Sequence, residues 1–172
     1  LPEAITNIGA GAFANCTSLT QINLPDPITY IGSYAFYGCT SLTQIKLPEA
    51  ISTIGEAAFY NCSSLTQIKL PETITTIGQD AFRNCTSLTQ IKLPEAITNI
   101  EYAALQSCSS LTQIKLPETI TDIRVNALGD ISRILIDTED PENFSRIRNL
   151  VPANKRDRVV SLKMANIINN IQ

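Results

Sequence analysis

The sequence predicts an α/β solenoid, a curved stack of short repeats, and two observations support this. A stretch of 23 residues that reads LPEAISTIGEAAFYNCSSLTQIK from Leu47 recurs along the chain with small changes. The leucines that open the copies keep the 23-residue step without slippage, at Leu1, Leu24, Leu47, Leu70, Leu93 and Leu116. A period of this size is typical of solenoids, in which each repeat contacts only its neighbours.

Two parts of each repeat have the character of strands. In residues 42–48, Ile45 and Leu47 alternate with polar residues, which indicates a half-buried strand. The following proline ends the strand, because it cannot donate to a ladder. Residues 51–55 are short, β-branched and closed by glycine, so they predict a second brief strand that leads into a turn.

The third part of each repeat predicts a short helical turn. Phe59, Cys62 and Leu65 follow one another at intervals of three, which suits a single buried helical face. Stacked repeats would place equivalent residues in columns, with strands pairing in parallel about 4.8 Å apart. The expected inward columns are Leu19, Leu42, Leu65, Leu88 and Leu111; Ile22, Ile45, Ile68, Ile91 and Ile114; and the spine Phe13, Phe36, Phe59 and Phe82, continued by Leu105 and Leu128.

Composition and charge exclude several classes of partner. The net charge is −3, with 44% apolar residues. Residues 1–137 carry seven basic and twelve acidic side chains, and residues 138–172 carry six and four. This weak asymmetry falls short of the strongly basic patch that nucleic-acid binding needs. No apolar run reaches the roughly 18 residues of a transmembrane helix, so we expect no membrane insertion.

The sequence contains no catalytic or cofactor motif. Without histidine, Ser-His and Cys-His nucleophile pairs are excluded, and no phosphate-binding or dinucleotide-binding glycine motif is present. We therefore expect no enzyme activity and no cofactor. The five cysteines share one repeat position, an odd count without a CxxC pair, which argues against a metal site. Neighbouring cysteines would be within disulfide reach, but an inward column favours free, buried, slowly reacting thiols.

Two outward columns form the candidate protein-binding surface. Solenoids bind partners through extended concave faces, so we predict binding there; the alternative is a merely solvated face. An acidic column beside the lysines could neutralise them. The candidate residues are Gln21, Asn23, Gln44, Lys46, Gln67, Lys69, Gln90, Lys92, Gln113 and Lys115.

Tyrosines form a second polar-aromatic group. They could anchor a partner or be ordinary partly buried residues. Tyr37 and Tyr60 share one column, directly after the phenylalanine spine. The full set is Tyr30, Tyr34, Tyr37, Tyr60 and Tyr102.

The repeat pattern ends at Asp137, and residues 138–172 predict a helical C-terminal cap or tail. Asp140 can cap a first helix that begins at Pro141 and places Phe144, Ile147 and Leu150 or Val151 on one face. A second helix is expected from about residue 154 to 171. Its apolar stripe would consist of Val160, Met164, Ile167, Ile168 and Ile171.

Two further expectations concern the tail. In the final strand Leu135 takes the column of Lys46 and Lys69, so the tail should cover it. The basic residues of the tail are expected on the solvated faces of the helices: Arg146, Arg148, Lys155, Arg156 and Arg158. A partner-binding role for the tail is the alternative.

The motif LxxIxLPxxIxxIGxxAFxxCxSL resembles the BspA-like, or Treponema pallidum-type, leucine-rich repeat over residues 1–137. The resemblance implies a right-handed superhelix with parallel strands on its concave face. It also implies a secreted or surface-displayed bacterial protein that binds a host or matrix protein, with no catalytic positions. The late repeats depart from the motif at Glu101, Leu105 and Arg124.

The chain opens within the repeat pattern, and this start predicts more chain upstream. The mid-repeat start and the tail motivate the alternative function, a recognition or targeting arm of a larger secreted effector delivered into a host cell.

Overall fold

The computed structural model describes residues 1–163, and in this range the chain is a stack of 23-residue rungs. All strand pairs are parallel. The strands are β1 (Asn7–Ile8), β2 (Tyr30–Ile31), β3 (Thr53–Ile54), β4 (Gln67–Lys69), β5 (Thr76–Ile77), β6 (Gln90–Lys92), β7 (Asn99–Ile100), β8 (Gln113–Leu116), β9 (Asp122–Ile123), β10 (Arg133–Ile136) and β11 (Val159–Ser161).

The strands form two ladders along the stack. The second brief strand of each repeat builds one ladder, β1-β2-β3 followed by β5-β7-β9. The Leu-Thr-Gln-Ile-Lys segments build the other, β4-β6 followed by β8-β10-β11, and bridges from Asn23 to Lys46 and from Gln44 to Gln67 extend it to earlier rungs. Paired residues lie 23 positions apart in the repeats, such as Ile68 and Ile91. The predicted parallel solenoid is confirmed.

The predicted inward columns lie in the core, which also contains isoleucines outside them, such as Ile51 and Ile74. In the first rung Phe13, Leu19 and Ile22 are only partly buried. Phe36 and Phe59 stack with ring centroids 5.3 Å apart, and the stack continues to Phe13 and Phe82 at 5.2 and 5.4 Å. Leu105 extends the spine and is fully buried. Parallel stacking of one aromatic per rung packs the centre of the solenoid over four rungs, because each ring covers the face of the next.

The segment after the second strand buries Phe59, Cys62 and Leu65 as predicted, but it is a series of turns and not a helical turn. The N–H groups of Ala58 and Tyr60 do close turns, bonding to the carbonyls of Gly55 (3.3 Å) and Ala57 (3.1 Å). The N–H of Phe59, between them, instead donates to Ala81 in the next rung at 2.9 Å. Ala57 also takes a positive φ of 50°, which an α-helix does not tolerate. Alternate amides thus serve the turn and the neighbouring rung.

The first helix of the tail is as predicted. Helix α1 spans Pro141–Leu150, and the Asp140 carboxylate accepts a hydrogen bond from the Glu142 N–H at 2.9 Å. Ile147 and Val151 are fully buried against the last rung. The division of the chain at residue 137 stays a prediction.

The second predicted helix is wrong in its first half. A 3₁₀ helix spans Ala153–Arg158, and β11 then pairs with β10, placing Val160 opposite Leu135. An open edge of β10 offers backbone hydrogen bonds to a β-branched Val-Val segment, so a strand forms there. Leu135 is buried, which agrees with the expectation that the tail covers it. The remaining stripe residues, Met164, Ile167, Ile168 and Ile171, lie outside the described residues.

The solvated-face prediction for the basic tail residues holds for Arg146 and Arg148, which are exposed, and is wrong for Lys155, which is buried; Arg156 and Arg158 are half-buried. Arg146 donates to the carbonyls of Ile120 and Glu118, at 2.7 and 2.5 Å. Arg156 and Arg158 also donate to backbone carbonyls, and Lys155 is buried. Arg148 is exposed, as expected. Carbonyls at the end of the stack have no further rung to donate to them, and guanidinium groups fill that role.

Candidate functional site

The ten candidate residues lie on one surface, because side chains alternate along each strand. In β4 and β6 the central isoleucine points inward, while the flanking Gln and Lys are exposed. A groove of about 550 Å³ is lined by eight of the ten: Gln21, Asn23, Gln44, Lys46, Gln67, Lys69, Gln90 and Lys92. A second depression of about 430 Å³ contains Gln113 and Lys115 next to Leu135. We call this continuous strip the concave surface.

The glutamine column of the concave surface is partly joined into a ladder. Gln90 Nε2 donates to Gln67 Oε1 at 3.2 Å, and both side chains are exposed. A primary amide has two donor hydrogens and one acceptor oxygen. The column therefore retains donors and acceptors that face the groove.

The lysine column is neutralised by the acidic column in three rungs. The ammonium nitrogen of Lys69 lies 2.9 Å from Glu49 Oε1, and the equivalent distances from Lys92 to Glu72 and from Lys115 to Glu95 are 3.8 and 3.9 Å. Each pair joins residues 20 positions apart, at the two ends of one repeat. The predicted neutralisation is thus present in the structure.

Two of these lysines, Lys69 and Lys115, have raised pKa values. The hydrogen bond and charge of Glu49 raise the pKa of Lys69. Asp137, 2.7 Å from Lys115, raises the pKa of Lys115 in the same way. Lys69 and Lys115 therefore remain cationic at neutral pH, and their charges are locally compensated.

The tyrosines gather beside the turn segments. The rings of Tyr37 and Tyr60 stack at 5.0 Å, and Tyr34 lies 6.0 Å from Tyr37 at an angle of 57°. The Tyr34 hydroxyl donates to Glu56 at 3.0 Å, and this bond raises the pKa of Tyr34. Arg83 places its guanidinium carbon 5.8 Å from the centre of the Tyr60 ring.

The cysteines are free, as predicted, and four of the five are buried. Burial raises the pKa of Cys39 to about 11 and that of Cys108 to about 12. Cys16 is exposed, so the expectation of a buried thiol is wrong for Cys16. Residues 1–163 contain no cluster of metal-ligating side chains. Within that range no helix has the length and apolar character needed to cross a membrane.

Sequence reasoning missed two features of these surfaces. One is the packing of Arg83 on Tyr60, although Arg83 stands 23 residues after Tyr60 and hence in the same column. The other is a gap in the acidic column. Asp26 occupies the position of Glu49 and is one methylene shorter, a difference that the aligned repeats display.

Solved structures of similar fold come from bacteria. A Treponema pallidum leucine-rich repeat protein is 27% identical with a TM-score of 0.68, and the match covers 89% of this chain and 82% of that one. A leucine-rich cell surface protein of Faecalibacterium prausnitzii is 29% identical with a TM-score of 0.54, covering 80% of this chain and 46% of that one. A Bacteroides ovatus leucine-rich repeat protein shares the fold at 24% identity and a TM-score of 0.60, covering 81% and 48%.

The chain thus spans less than half the length of two of these three proteins. No curated protein matches the chain. The BspA-type leucine-rich repeat region matches residues 1–151 in six copies. This match covers the whole array and helix α1, and the chain therefore belongs to the BspA-type leucine-rich repeat family.

Proposed function

We propose that this chain is a non-catalytic scaffold that binds a protein partner through the concave surface. Repeats of this family are typical of protein–protein interaction scaffolds and are generally non-catalytic. The observation that carries the proposal is the groove of about 550 Å³, lined by exposed amide and ammonium groups on a rigid double ladder. Extended concave faces are the surfaces with which solenoids bind.

The centre of binding is the rung of Lys46. Lys69, Lys92 and Lys115 each have a glutamate 20 positions earlier within 4.0 Å, whereas the residue 20 positions before Lys46 is Asp26. In the part of the chain that the structure describes, no ion pair includes Lys46. An ammonium group without a carboxylate neighbour attracts an anionic group more strongly than a neutralised one does. The partner accordingly offers a carboxylate to Lys46 and amide or hydroxyl groups to Gln21 and Gln44.

The partner is a host or matrix protein met outside the bacterial cell. Support comes from the family and from the similar Faecalibacterium prausnitzii protein, which is described as a cell surface protein. Both point to a surface-displayed or secreted bacterial protein. The alternative, the recognition arm of an effector delivered into a host cell, stays a prediction that the full reading frame can test.

The test measures binding of the purified chain to a panel of immobilised extracellular matrix proteins. Charge reversal at Lys46, Lys69 and Lys92 together should abolish binding to any matrix protein that the original chain retains. A matched triple change on the turn side, Ser63, Thr86 and Ser109 to glutamate, should leave that binding intact. Equal loss in both triple variants, or no loss in the lysine variant, would contradict concave binding.

A second comparison tests whether Lys46 contributes more to binding than the other lysines of its column. Lys46→Gln should weaken binding by up to about fivefold, as expected for the loss of one favourable exposed ion pair of at most roughly 1 kcal/mol. Lys69→Gln changes the same side chain in a neutralised rung and should have a much smaller effect. Equal effects of the two changes would reject the central role of Lys46 while leaving the concave surface in place.

A further inference from the structure

One column in the turn segments differs from the columns of the concave surface, because its residue changes from rung to rung. The glutamine column of the concave surface carries the same side chain in all five of its rungs. A site that distinguishes partners needs varied side chains, and tyrosine is among the residues that contribute most at such sites. The variable column consists of Ala10, Ser33, Glu56, Gln79, Tyr102 and Val125.

Glu56 is the charged member of the variable column, and its two carboxylate oxygens differ. Oε1 accepts hydrogen bonds from the Tyr34 hydroxyl at 3.0 Å and from Gln79 Nε2 at 3.5 Å. Within residues 1–163, no protein donor bonds to Oε2 and no ion pair includes Glu56. A carboxylate has about two acceptor positions on each oxygen. Oε1 is therefore occupied within the chain, and Oε2 is open.

The carboxylate is held in place beside an exposed aromatic ring. Tyr34 is 42% exposed and packs against Tyr37, with ring centroids 6.0 Å apart, and Tyr37 in turn stacks on Tyr60 at 5.0 Å. The hydrogen bond to Glu56 raises the pKa of Tyr34, so the hydroxyl keeps its proton and continues to donate. A side chain that is already oriented loses less conformational freedom when a partner binds.

The charges around Glu56 favour a cationic occupant. The nearby Asp80 pairs with Arg83 at 3.2 Å, so these two charges compensate one another and the charge of Glu56 remains. A guanidinium group binds a carboxylate best through both oxygens, and here Oε1 is already occupied. An ammonium group is a compact charge that needs only one oxygen. The arrangement therefore suits a lysine better than an arginine.

We propose that Glu56 and Tyr34 form a recognition site for a lysine side chain of a protein partner. The ammonium group binds Oε2 of Glu56, and the methylene stem lies along the exposed surface of Tyr34. Exposed ion pairs contribute little alone, so the site acts within a larger contact. Tyr102, which is exposed two rungs further along the variable column, extends that contact.

The experiment titrates the isotope-labelled chain with a capped glycine-lysine-glycine peptide at constant ionic strength. NMR follows the carboxylate carbon of Glu56 and the backbone amide of Tyr34, and the lysine peptide should shift both resonances. The same peptide with Nε-acetyl-lysine keeps the stem but has no charge, and it should leave the Glu56 resonance unchanged. The arginine peptide should bind more weakly than the lysine peptide. Equal shifts with the acetylated peptide would overturn the proposal.

Three variants locate the site. Glu56→Gln should weaken binding of the lysine peptide about two- to fivefold, as expected for one exposed ion pair. Glu3→Gln removes an exposed carboxylate from another column, gives the same net charge and should leave binding unchanged. Equal losses in these two variants would reduce the effect to general attraction and overturn the proposal.

Tyr34→Phe tests why lysine is preferred. This change keeps the ring and removes the hydroxyl that occupies Oε1, so the preference should move towards the arginine peptide. An unchanged preference for lysine would overturn the role given to the open oxygen. None of these results bears on the concave surface, since neither Tyr34 nor Glu56 lines its groove.

Discussion

The sulfur of Cys62 donates a hydrogen bond to the carbonyl oxygen of Phe36 at 3.2 Å, although the two residues are 26 positions apart. The same carbonyl accepts the backbone N–H of Cys39, also at 3.2 Å. Each phenylalanine carbonyl of the spine thus binds one cysteine amide of its own rung and one thiol of the next. The equivalent thiol bonds run from Cys39 to Phe13, from Cys85 to Phe59 and from Cys108 to Phe82, at 3.0–3.1 Å.

Thiol labelling of the folded chain should show one rapidly reacting cysteine. At pH 8, a thiol reagent should modify Cys16 rapidly, because Cys16 is exposed. The four buried thiols should react only as the chain unfolds, since burial keeps them protonated and out of contact with the reagent. Cys16→Ser should remove the fast phase and leave the slow one. A second thiol that reacts at the fast rate in the native chain would contradict the hydrogen-bonded column.

Stability should fall at alkaline pH because of the same column. Burial raises the pKa of Cys39 to about 11 from an ordinary value of 9.0, so the folded state holds its proton more tightly than the unfolded state does. This contribution to stability is fully present below about pH 9 and is lost as the pH rises towards 11. Urea denaturation at several pH values measures how steeply the free energy of unfolding declines with pH. Cys39→Ala should show a shallower decline between pH 9 and 11; an identical slope would count against the thiol as its source.

Much of the stack could be predicted from the sequence because side-chain identity alone determines the columns. Once the 23-residue phase is known, Phe59 must lie between Phe36 and Phe82, and Ile68 must pair with Ile91. The concave surface follows from the same reasoning, since Gln67 and Lys69 flank an inward residue in a strand. These inferences need only periodicity and alternation.

The features that were missed depend on backbone choices that periodicity does not report. The amide of Phe59 bonds to the next rung and not along its own chain, and this prevents the predicted helical turn. Val160 suits a helical stripe and a strand equally, and the open edge of β10 decides between them. The carbonyl groups that Arg146 binds are visible only once the rungs are stacked.

Replacing the glycine that follows the second strand of a repeat should destabilise the protein more in some rungs than in others. A Cβ atom added at Gly55 would lie 2.4 Å from the backbone nitrogen of Ser33, a distance that requires the backbone to move. At Gly78 the nearest atom, the Ile54 carbonyl oxygen, is 3.1 Å away. Gly55→Ala should therefore lower the free energy of unfolding by about 1–3 kcal/mol, the range for overpacked sites.

Gly78→Ala is the matched control for this change and should cost clearly less. Both variants add one methyl group at the same repeat position, so chemical denaturation compares only the local spacing. In the next two rungs this position is occupied by Glu101 and Arg124, so a side chain is accommodated there beyond Gly78. Equal losses in the two alanine variants would show that backbone approach is not what the glycine provides.

Arg146 should act as a substitute for a missing rung. In the array, the Thr73 hydroxyl lies within hydrogen-bonding distance of the carbonyls of Glu49 and Ile51 and shares its one proton between them, and the Thr119 hydroxyl does the same with Glu95 and Ile97. The next carbonyls in these columns, Glu118 and Ile120, accept from the two terminal nitrogens of Arg146. Helix α1 thus presents a guanidinium where another repeat would present a threonine.

Arg146→Ala should lower the free energy of unfolding by about 2–3 kcal/mol, because hydrogen bonds to charged groups contribute roughly 1.5–3 kcal/mol. Arg146→Lys should recover only part of this, since an ammonium group lacks the planar fork that reaches two carbonyls. Arg148 lies two residues further along α1 and is exposed. Arg148→Ala is therefore the control and should change stability little. Hydrogen exchange at the β8–β10 ladder should rise only in the Arg146 variants, because α1 packs against β10. If lysine restored full stability, charge and not the two-carbonyl contact would explain how α1 holds the last rung.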